Sequence, residues 1–192
     1  MLRCILFACS IAAFAVHAIA QPCADVRQFD FRNSDLRIGG RTGESREPER
    51  SIRLRNGITF ISDDPRSVKS RDWEITLKVD RLVHPDASTW VKVIVLDQNH
   101  LTGTGDWRYV LVFGCTNGSL ARLLQYASEG VALEHTDGRT IRLYQAQWKN
   151  SDARCCPSQH LELVYEWDVR EHRYRKRASL PGDGFDPPND EN

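Results

Sequence analysis

The chain has 192 residues, 41% of them hydrophobic, and its 26 basic residues balance its 26 acidic residues. The balance excludes the global positive field with which proteins attract nucleic acid, so we expect no nucleic-acid partner. The length is that of one ordinary domain, large enough to bury a core of its own.

The first twenty residues have the organisation of a secretory signal peptide. Arg3 provides a short positive n-region, Ile5 to Val16 form an apolar segment, and Ala18-Ile19-Ala20 provides a cleavage site. A membrane-spanning helix would need about 20 apolar residues, more than this segment provides. We therefore predict a mature periplasmic or secreted chain that begins at Gln21 and has no transmembrane segment.

The N-terminal part of the mature chain predicts edge strands followed by a loop. Val26 to Phe31 alternates apolar and polar residues, and Leu36 to Ile38 forms a second short strand pattern. Gly39 to Arg50 is glycine-rich and charged, which predicts a surface loop. Further along, Asn56-Gly57 separates two apolar runs, and this dipeptide accepts the positive φ that a tight hairpin turn requires.

A pair of long strands should form the centre of the sheet. Trp73 to Asp80 alternates apolar and polar residues, the pattern of a strand with one face in water. Thr89 to Leu96 should be its partner, and we place that strand centrally because it is apolar on both faces. The small-residue loop Leu101 to Gly105 is followed by no helix pattern and contains no Gly-Lys-Ser/Thr motif. It therefore predicts a connection between strands and not a phosphate-binding site.

Two further hairpins continue the pattern. Asn117-Gly118 should join the strand Trp107 to Cys115 to the next one, and Asp137-Gly138 should join Val131 to His135 with Thr140 to Trp148. Ser119 to Glu129 fits a helix as well as a strand, and we favour the strand because of the flanking turns. The predicted class is therefore all-β, or α+β if that segment is helical.

The C-terminal part predicts one more hairpin and a tail. Leu161 to Trp167 alternates apolar and polar residues and should turn back into Arg173 to Arg177. Pro181 to Asn192 is rich in Pro, Gly and Asp, which is typical of a disordered acidic tail. We thus expect a single antiparallel β domain over residues 21–180, built from successive hairpins.

Four cysteines remain after removal of the predicted signal peptide: Cys23, Cys115, Cys155 and Cys156. Disulfides are favoured in an oxidising compartment, and four cysteines allow three pairings. Since a bond between adjacent cysteines closes a small strained ring, we predict that Cys155 and Cys156 each bond to Cys23 or Cys115. The sequence leaves open which of the two bonds to Cys23. A zinc site is disfavoured by the absence of a C-x-x-C motif.

No catalytic, metal or cofactor motif accompanies these cysteines. There is no Gly-x-Ser-x-Gly turn, and the acidic pairs lack the ligand spacing of a calcium loop. The five histidines of the mature chain are scattered, although His135 after Glu134 and His160 before Glu162 could converge on one sheet edge as a metal or acid/base site.

The end of the chain carries a basic segment that is a candidate contact for an anion or an acidic partner protein. Its cationic residues are Arg170, Arg173, Arg175, Lys176 and Arg177. The alternative interpretation is an edge strand whose charges discourage aggregation between sheets, and we favour it because the acidic tail could neutralise the segment.

The order of these elements resembles the small exported bacterial proteins and lipoproteins of the LppP/LprE type. The most specific part of the resemblance is Cys155-Cys156-Pro157-Ser158 followed by Tyr165-Glu166-Trp167-Asp168. The resemblance implies no catalytic residue, since such proteins have no established activity. Where relatives have an Asp-Gly-Asp-rich loop before the central strand, this chain has His84 to Thr89, which argues against a metal role for that loop.

Two hypotheses on function follow. The first is a non-enzymatic, envelope-associated or binding protein, of which a periplasmic inhibitor or immunity protein would be one form, because sheet edges can pair with partner chains. The second is an enzyme with a site around His135 and His160, completed by Glu134 and Glu162. The sequence defines neither the ligand nor the oligomeric state.

Overall fold

The computed structural model describes residues 21–39, 49–63, 71–103, 106–153 and 155–184. Apart from two short 3₁₀ segments, the regular elements in these ranges are β-strands, and all pair antiparallel, so the predicted all-β class is confirmed. In chain order the strands are β1 (Asp35–Ile38), β2 (Arg50–Arg53), β3 (Ile58–Ile61), β4 (Trp73–Asp86), β5 (Thr89–His100), β6 (Asp106–Thr116), β7 (Ser119–Ser128), β8 (Val131–Thr136), β9 (Thr140–Gln147), β10 (Gln159–Asp168) and β11 (Arg173–Asp183).

Two large sheets contain most of the strands. One has five strands in the order β3-β4-β5-β6-β7, and the other has four in the order β11-β10-β9-β8. β5 is the central strand of the larger sheet and pairs with β4, as predicted. The segment that was ambiguous between helix and strand is the strand β7, because it pairs with β6 across the Asn117-Gly118 turn. The two predicted C-terminal hairpins, β8–β9 and β10–β11, are also confirmed.

The five-stranded sheet is covered on both faces, which explains its continuous apolar strands. Val91, Val93 and Val95 of β5 face the four-stranded sheet in one core. Ile94 and Leu96 face the opposite way, into a second core covered by the N-terminal segment and the small β1–β2 sheet. The alternation of side chains along a strand thus supplies both cores from one element.

Two predictions for the N-terminal part are wrong or incomplete, and a third is untested. Val26–Gln28 and Phe31–Asn33 are 3₁₀ turns, not a strand, because the side chains of Asp25 and Asp30 accept backbone hydrogen bonds and cap them. The Asn56-Gly57 turn forms with positive φ at both residues, but β2 pairs with β1 and β3 with β4, so the flanking strands separate into different sheets. Residues 40–48 of the predicted loop lie outside the described residues.

The predicted disulfide pairing is also wrong. Cys23 is bonded to Cys115, and Cys155 is bonded to Cys156. The reason is the course of the N-terminal chain, which adds to the β6–β7 hairpin: the Cys23 amide donates to the Gly118 carbonyl at 2.9 Å. That contact places Cys23 beside Cys115 and leaves the adjacent pair in the β9–β10 loop without either proposed partner.

The C-terminus differs from prediction in one respect. β11 runs to Asp183, so residues 181–183 of the predicted disordered tail are part of a strand opposite β10. Residues 185–192 lie outside the described residues, as do residues 1–20 with the predicted signal peptide.

One side-chain hydrogen bond connects the two large sheets, and another closes the four-stranded sheet across its own strands. The Trp167 indole of β10 donates to the Asp86 carboxylate of β4 at 2.7 Å, and the Tyr174 hydroxyl donates to the Gly138 carbonyl. Burial opposes ionisation of Asp86, but hydrogen bonds from Ser88, Thr89 and Trp167 prevail and lower its pKa to about 2. Desolvation raises the pKa of Tyr165, which is enclosed between the sheets, to about 12.

Candidate functional site

Strand register brings most of the predicted polar residues together on the outer face of the four-stranded sheet, which is turned away from the core. Tyr144 of β9 lies directly opposite Glu162 of β10 and opposite Ala132 of β8. Residues opposite one another share a face of the sheet. Tyr144 is therefore the central residue of this face, and we name the group of Glu134, Arg142, Tyr144, His160 and Glu162 the Tyr144 cluster.

Tyr144 lies between two carboxylates. Burial, the negative charge of Glu134 and a hydrogen bond with that carboxylate raise the pKa of the Tyr144 hydroxyl, and the charge of Glu162 adds to the effect. Within the described residues, one carboxylate oxygen of Glu134 is enclosed without a hydrogen-bond partner. The phenol therefore stays protonated at neutral pH, and Glu134 retains capacity to accept another hydrogen bond.

The second carboxylate is balanced by a cation. Arg142 donates to Glu162 at 3.1 Å. The arginine side chain is 48% exposed whereas that of Glu162 is only 19% exposed, so the guanidinium forms the outer rim of the pair. Because a guanidinium has five N–H groups, Arg142 keeps further donors while it is bonded to Glu162.

His160 completes the cluster from the start of β10. Its ring packs against the Tyr144 ring with 4.7 Å between the centroids, at a tilt of 51°. Its Nδ1 lies 2.6 Å from the Gly184 carbonyl oxygen, which can only accept, so Nδ1 carries a proton. A Cβ at Gly182 would collide with the same ring, which shows how closely the end of β11 encloses this histidine.

The structure thus brings together three of the four residues of the predicted acid/base site. Glu134, Glu162 and His160 surround Tyr144, whereas His135 is exposed on the same face, one residue beyond Glu134 and opposite Arg142. Sequence reasoning missed Tyr144 and Arg142. The signal that could have found them is their spacing of two residues on β9, which places both on the face that bears Glu162.

The basic segment at the chain end is largely neutralised within its own hairpin. Arg175 pairs with Asp168 at 3.0 Å and Arg177 pairs with Glu166 at 3.3 Å, while Arg173 pairs with Glu171. Among the described residues, Arg170 and Lys176 are the two cations of the segment for which no ion pair is found. The partners found within the described residues are carboxylates of the β10–β11 hairpin, in agreement with the charged edge-strand interpretation.

A shallow cleft of about 170 Å³ lies on another part of the surface, near the β7–β8 turn. Its polar lining includes Asp97 and Arg108, which form an ion pair at 2.6 Å. Each of these two charges already has its partner in the other.

In the described ranges, no group of three or more His, Cys, Asp or Glu side chains is arranged to hold a metal ion, the Tyr144 cluster included. No helix among the described residues is long and apolar enough to span a membrane. Comparisons of the chain with protein families, with curated proteins and with solved structures found no match.

Proposed function

We propose that the protein is an exported, non-enzymatic binding protein that holds a saccharide of the cell envelope on the Tyr144 cluster. The observation that carries the proposal is the juxtaposition of acceptors and donors around one aromatic ring. Export rests on the signal-peptide pattern of residues 1–20. Membership of the LppP/LprE type, proposed from the Cys-Cys-Pro-Ser motif, is compatible with this role.

The chemistry of the cluster matches hydroxyl groups better than a simple ion. A sugar hydroxyl both donates and accepts, and it would meet the carboxylate of Glu162 as acceptor and the guanidinium of Arg142 as donor. A cationic ligand would be repelled by Arg142, and an anionic one by the two carboxylates. The Tyr144 ring supplies the apolar surface on which the ring carbons of a sugar can pack.

Binding is favoured over catalysis because two of the groups that could transfer a proton, His160 and Glu162, are engaged in contacts within the protein. Nδ1 of His160 donates to the Gly184 carbonyl, and the Glu162 carboxylate accepts a hydrogen bond from Arg142. General acid/base catalysis requires a group that exchanges its proton near the working pH with a substrate atom within hydrogen-bond reach. The geometry thus supports recognition of a ligand, with the cluster acting as a fixed surface.

Isothermal titration calorimetry with chitohexaose, cellohexaose and maltohexaose would test the proposal. We expect the native protein to bind at least one of these probes and Tyr144→Ala to lower the association constant about tenfold, the loss expected for one aromatic contact. Glu162→Gln should also weaken binding, since it removes an ionised acceptor and the partner that orients Arg142.

Glu166 provides a matched control for Glu162. It lies four residues further along β10, on the same face, and it pairs with Arg177 as Glu162 pairs with Arg142. Glu166→Gln should leave the affinity unchanged, and thermal unfolding would verify that all variants remain folded. Absence of heat with all three probes, or an equal loss in Glu166→Gln, would contradict a saccharide site at Tyr144.

A further inference from the structure

The Cys155–Cys156 disulfide lies in the β9–β10 loop, and both residues are exposed. The other disulfide is less accessible, because Cys23 is only 4% exposed and Cys115 is partly buried against the same core. Exchange of a disulfide requires direct attack of a thiolate on sulfur, so access separates the two bonds chemically. An external thiol can reach the adjacent pair without unfolding of the protein.

The disulfide between the adjacent cysteines cannot be explained by a contribution to the stability of the fold. A disulfide stabilises a fold chiefly by closing a loop in the unfolded chain, and the effect grows with the length of that loop. Cys155 and Cys156 are consecutive residues, so their bond closes no loop beyond a single peptide unit. Cys23–Cys115 joins residues 92 positions apart, so it is the one of the two disulfides that can stabilise the fold by closing a loop.

The loop that presents the pair is held from both sides by its own hydrogen bonds. The Asp152 carboxylate accepts from the backbone amides of Lys149 and Ser158 at 2.8 and 2.9 Å. The Cys156 amide donates to the Ala153 carbonyl, and the Ser158 carbonyl accepts from the end of β11. None of these contacts involves a sulfur atom, so the loop should keep its shape, and the two thiols their proximity, after reduction.

We propose that Cys155–Cys156 is a redox-active disulfide that exchanges with an external protein or peptide dithiol. A thiolate of that dithiol attacks the Sγ atom of one cysteine, a mixed disulfide forms, and the other cysteine leaves as a thiolate that takes up a proton. The second thiol of the partner then attacks the mixed disulfide and releases the first cysteine. The dithiol is oxidised to a disulfide, the protein pair is reduced by two electrons, and Cys23–Cys115 does not react. This activity is independent of the proposed saccharide site.

The test uses the full mature chain and a reduced, fluorescent peptide that contains two cysteines. Peptide oxidation is followed by chromatography, and the protein thiols are then alkylated and mapped by mass spectrometry. We expect about one peptide disulfide per protein molecule, with the alkyl groups on Cys155 and Cys156. The double variant C155S/C156S should oxidise no peptide while it keeps native stability in urea, which would show that the loss is chemical.

Three results would overturn the proposal. One is absence of peptide oxidation by the native protein over a range of peptide concentrations. The second is equal oxidation by C155S/C156S, and the third is alkylation of Cys23 and Cys115 in the native protein. Either of the last two would assign the exchange to the Cys23–Cys115 disulfide.

Discussion

The Cys23–Cys115 disulfide should be one of the largest single contributions to the stability of this fold. It joins residues 92 positions apart, and the chain-entropy relation gives about 4.6 kcal/mol at 25 °C for a loop of that length. Domains of ordinary size are stable by only about 5–15 kcal/mol. The double variant C23S/C115S should therefore be close to the limit of folding at ambient temperature.

Equilibrium unfolding in urea, followed by tryptophan fluorescence, measures the loss. The double variant is compared with the native protein under conditions that keep disulfides intact. C155S/C156S is the matched control, because it also removes two cysteines but opens no loop, and its free energy of unfolding should lie within about 0.5 kcal/mol of the native value.

The reasoning would be refuted if C23S/C115S lost less than about 1 kcal/mol, or if the control lost as much as the test variant. The first result would mean that the N-terminal segment is held by its packing under the five-stranded sheet alone. The second would give the adjacent disulfide a structural role and would remove the basis for assigning it to redox exchange.

Two further predictions concern the turns and the pH dependence. Gly138 has φ of +92° and a Cβ there would collide with the backbone of His84, whereas Gly118 has φ of +73° and open space within 4 Å. We expect Gly138→Ala to lower the free energy of unfolding in urea by about 3 kcal/mol or more, and Gly118→Ala to lower it by about 1 kcal/mol. Equal losses would show that the positive φ accounts for the whole effect and that the collision with His84 adds nothing. Because the folded pKa of Asp86 is depressed from 3.8 to about 2, its carboxylate stabilises the fold above pH 4 and this contribution is lost as the pH falls toward 2. Between pH 5 and pH 2 the native protein should lose about 1–2 kcal/mol more than Asp86→Asn does, and identical pH profiles would contradict the assignment.

The elements that were predictable from the sequence are those determined by neighbouring residues. Asn117-Gly118 and Asp137-Gly138 specify their hairpins through backbone conformation within the turn itself, and the strands on either side were correctly paired. The same local logic failed for Asn56-Gly57, because the turn formed but the strands it joins entered different sheets. A turn residue determines the direction of the chain, whereas burial of the two cores determines which strands pair.

The predictions for the N-terminus were wrong because a β-strand and successive 3₁₀ turns can have the same alternation of apolar and polar residues. Val26 to Phe31 alternates as a strand would, yet Asp25 and Asp30 cap successive 3₁₀ turns. Each is an aspartate one residue before the turn it caps, a signal that was present in the sequence. The disulfide pairing depended on this region as well, because only the actual path of residues 21–23 along the β6–β7 hairpin shows that Cys23 meets Cys115.

The Tyr144 cluster shows why a site on a sheet face is harder to predict than its strands. Tyr144 and Glu162 are separated by a loop, and the length of that loop does not determine the register of β9 against β10. A shift of the register by one residue would turn the Tyr144 side chain into the core and the Leu143 side chain outward. The burial of Leu143 and Leu163 in the same core excludes that shift. The hydrophobic core therefore determines the position of the polar cluster on the opposite face, and a core substitution at Leu143 should disturb the cluster as well as the stability of the fold.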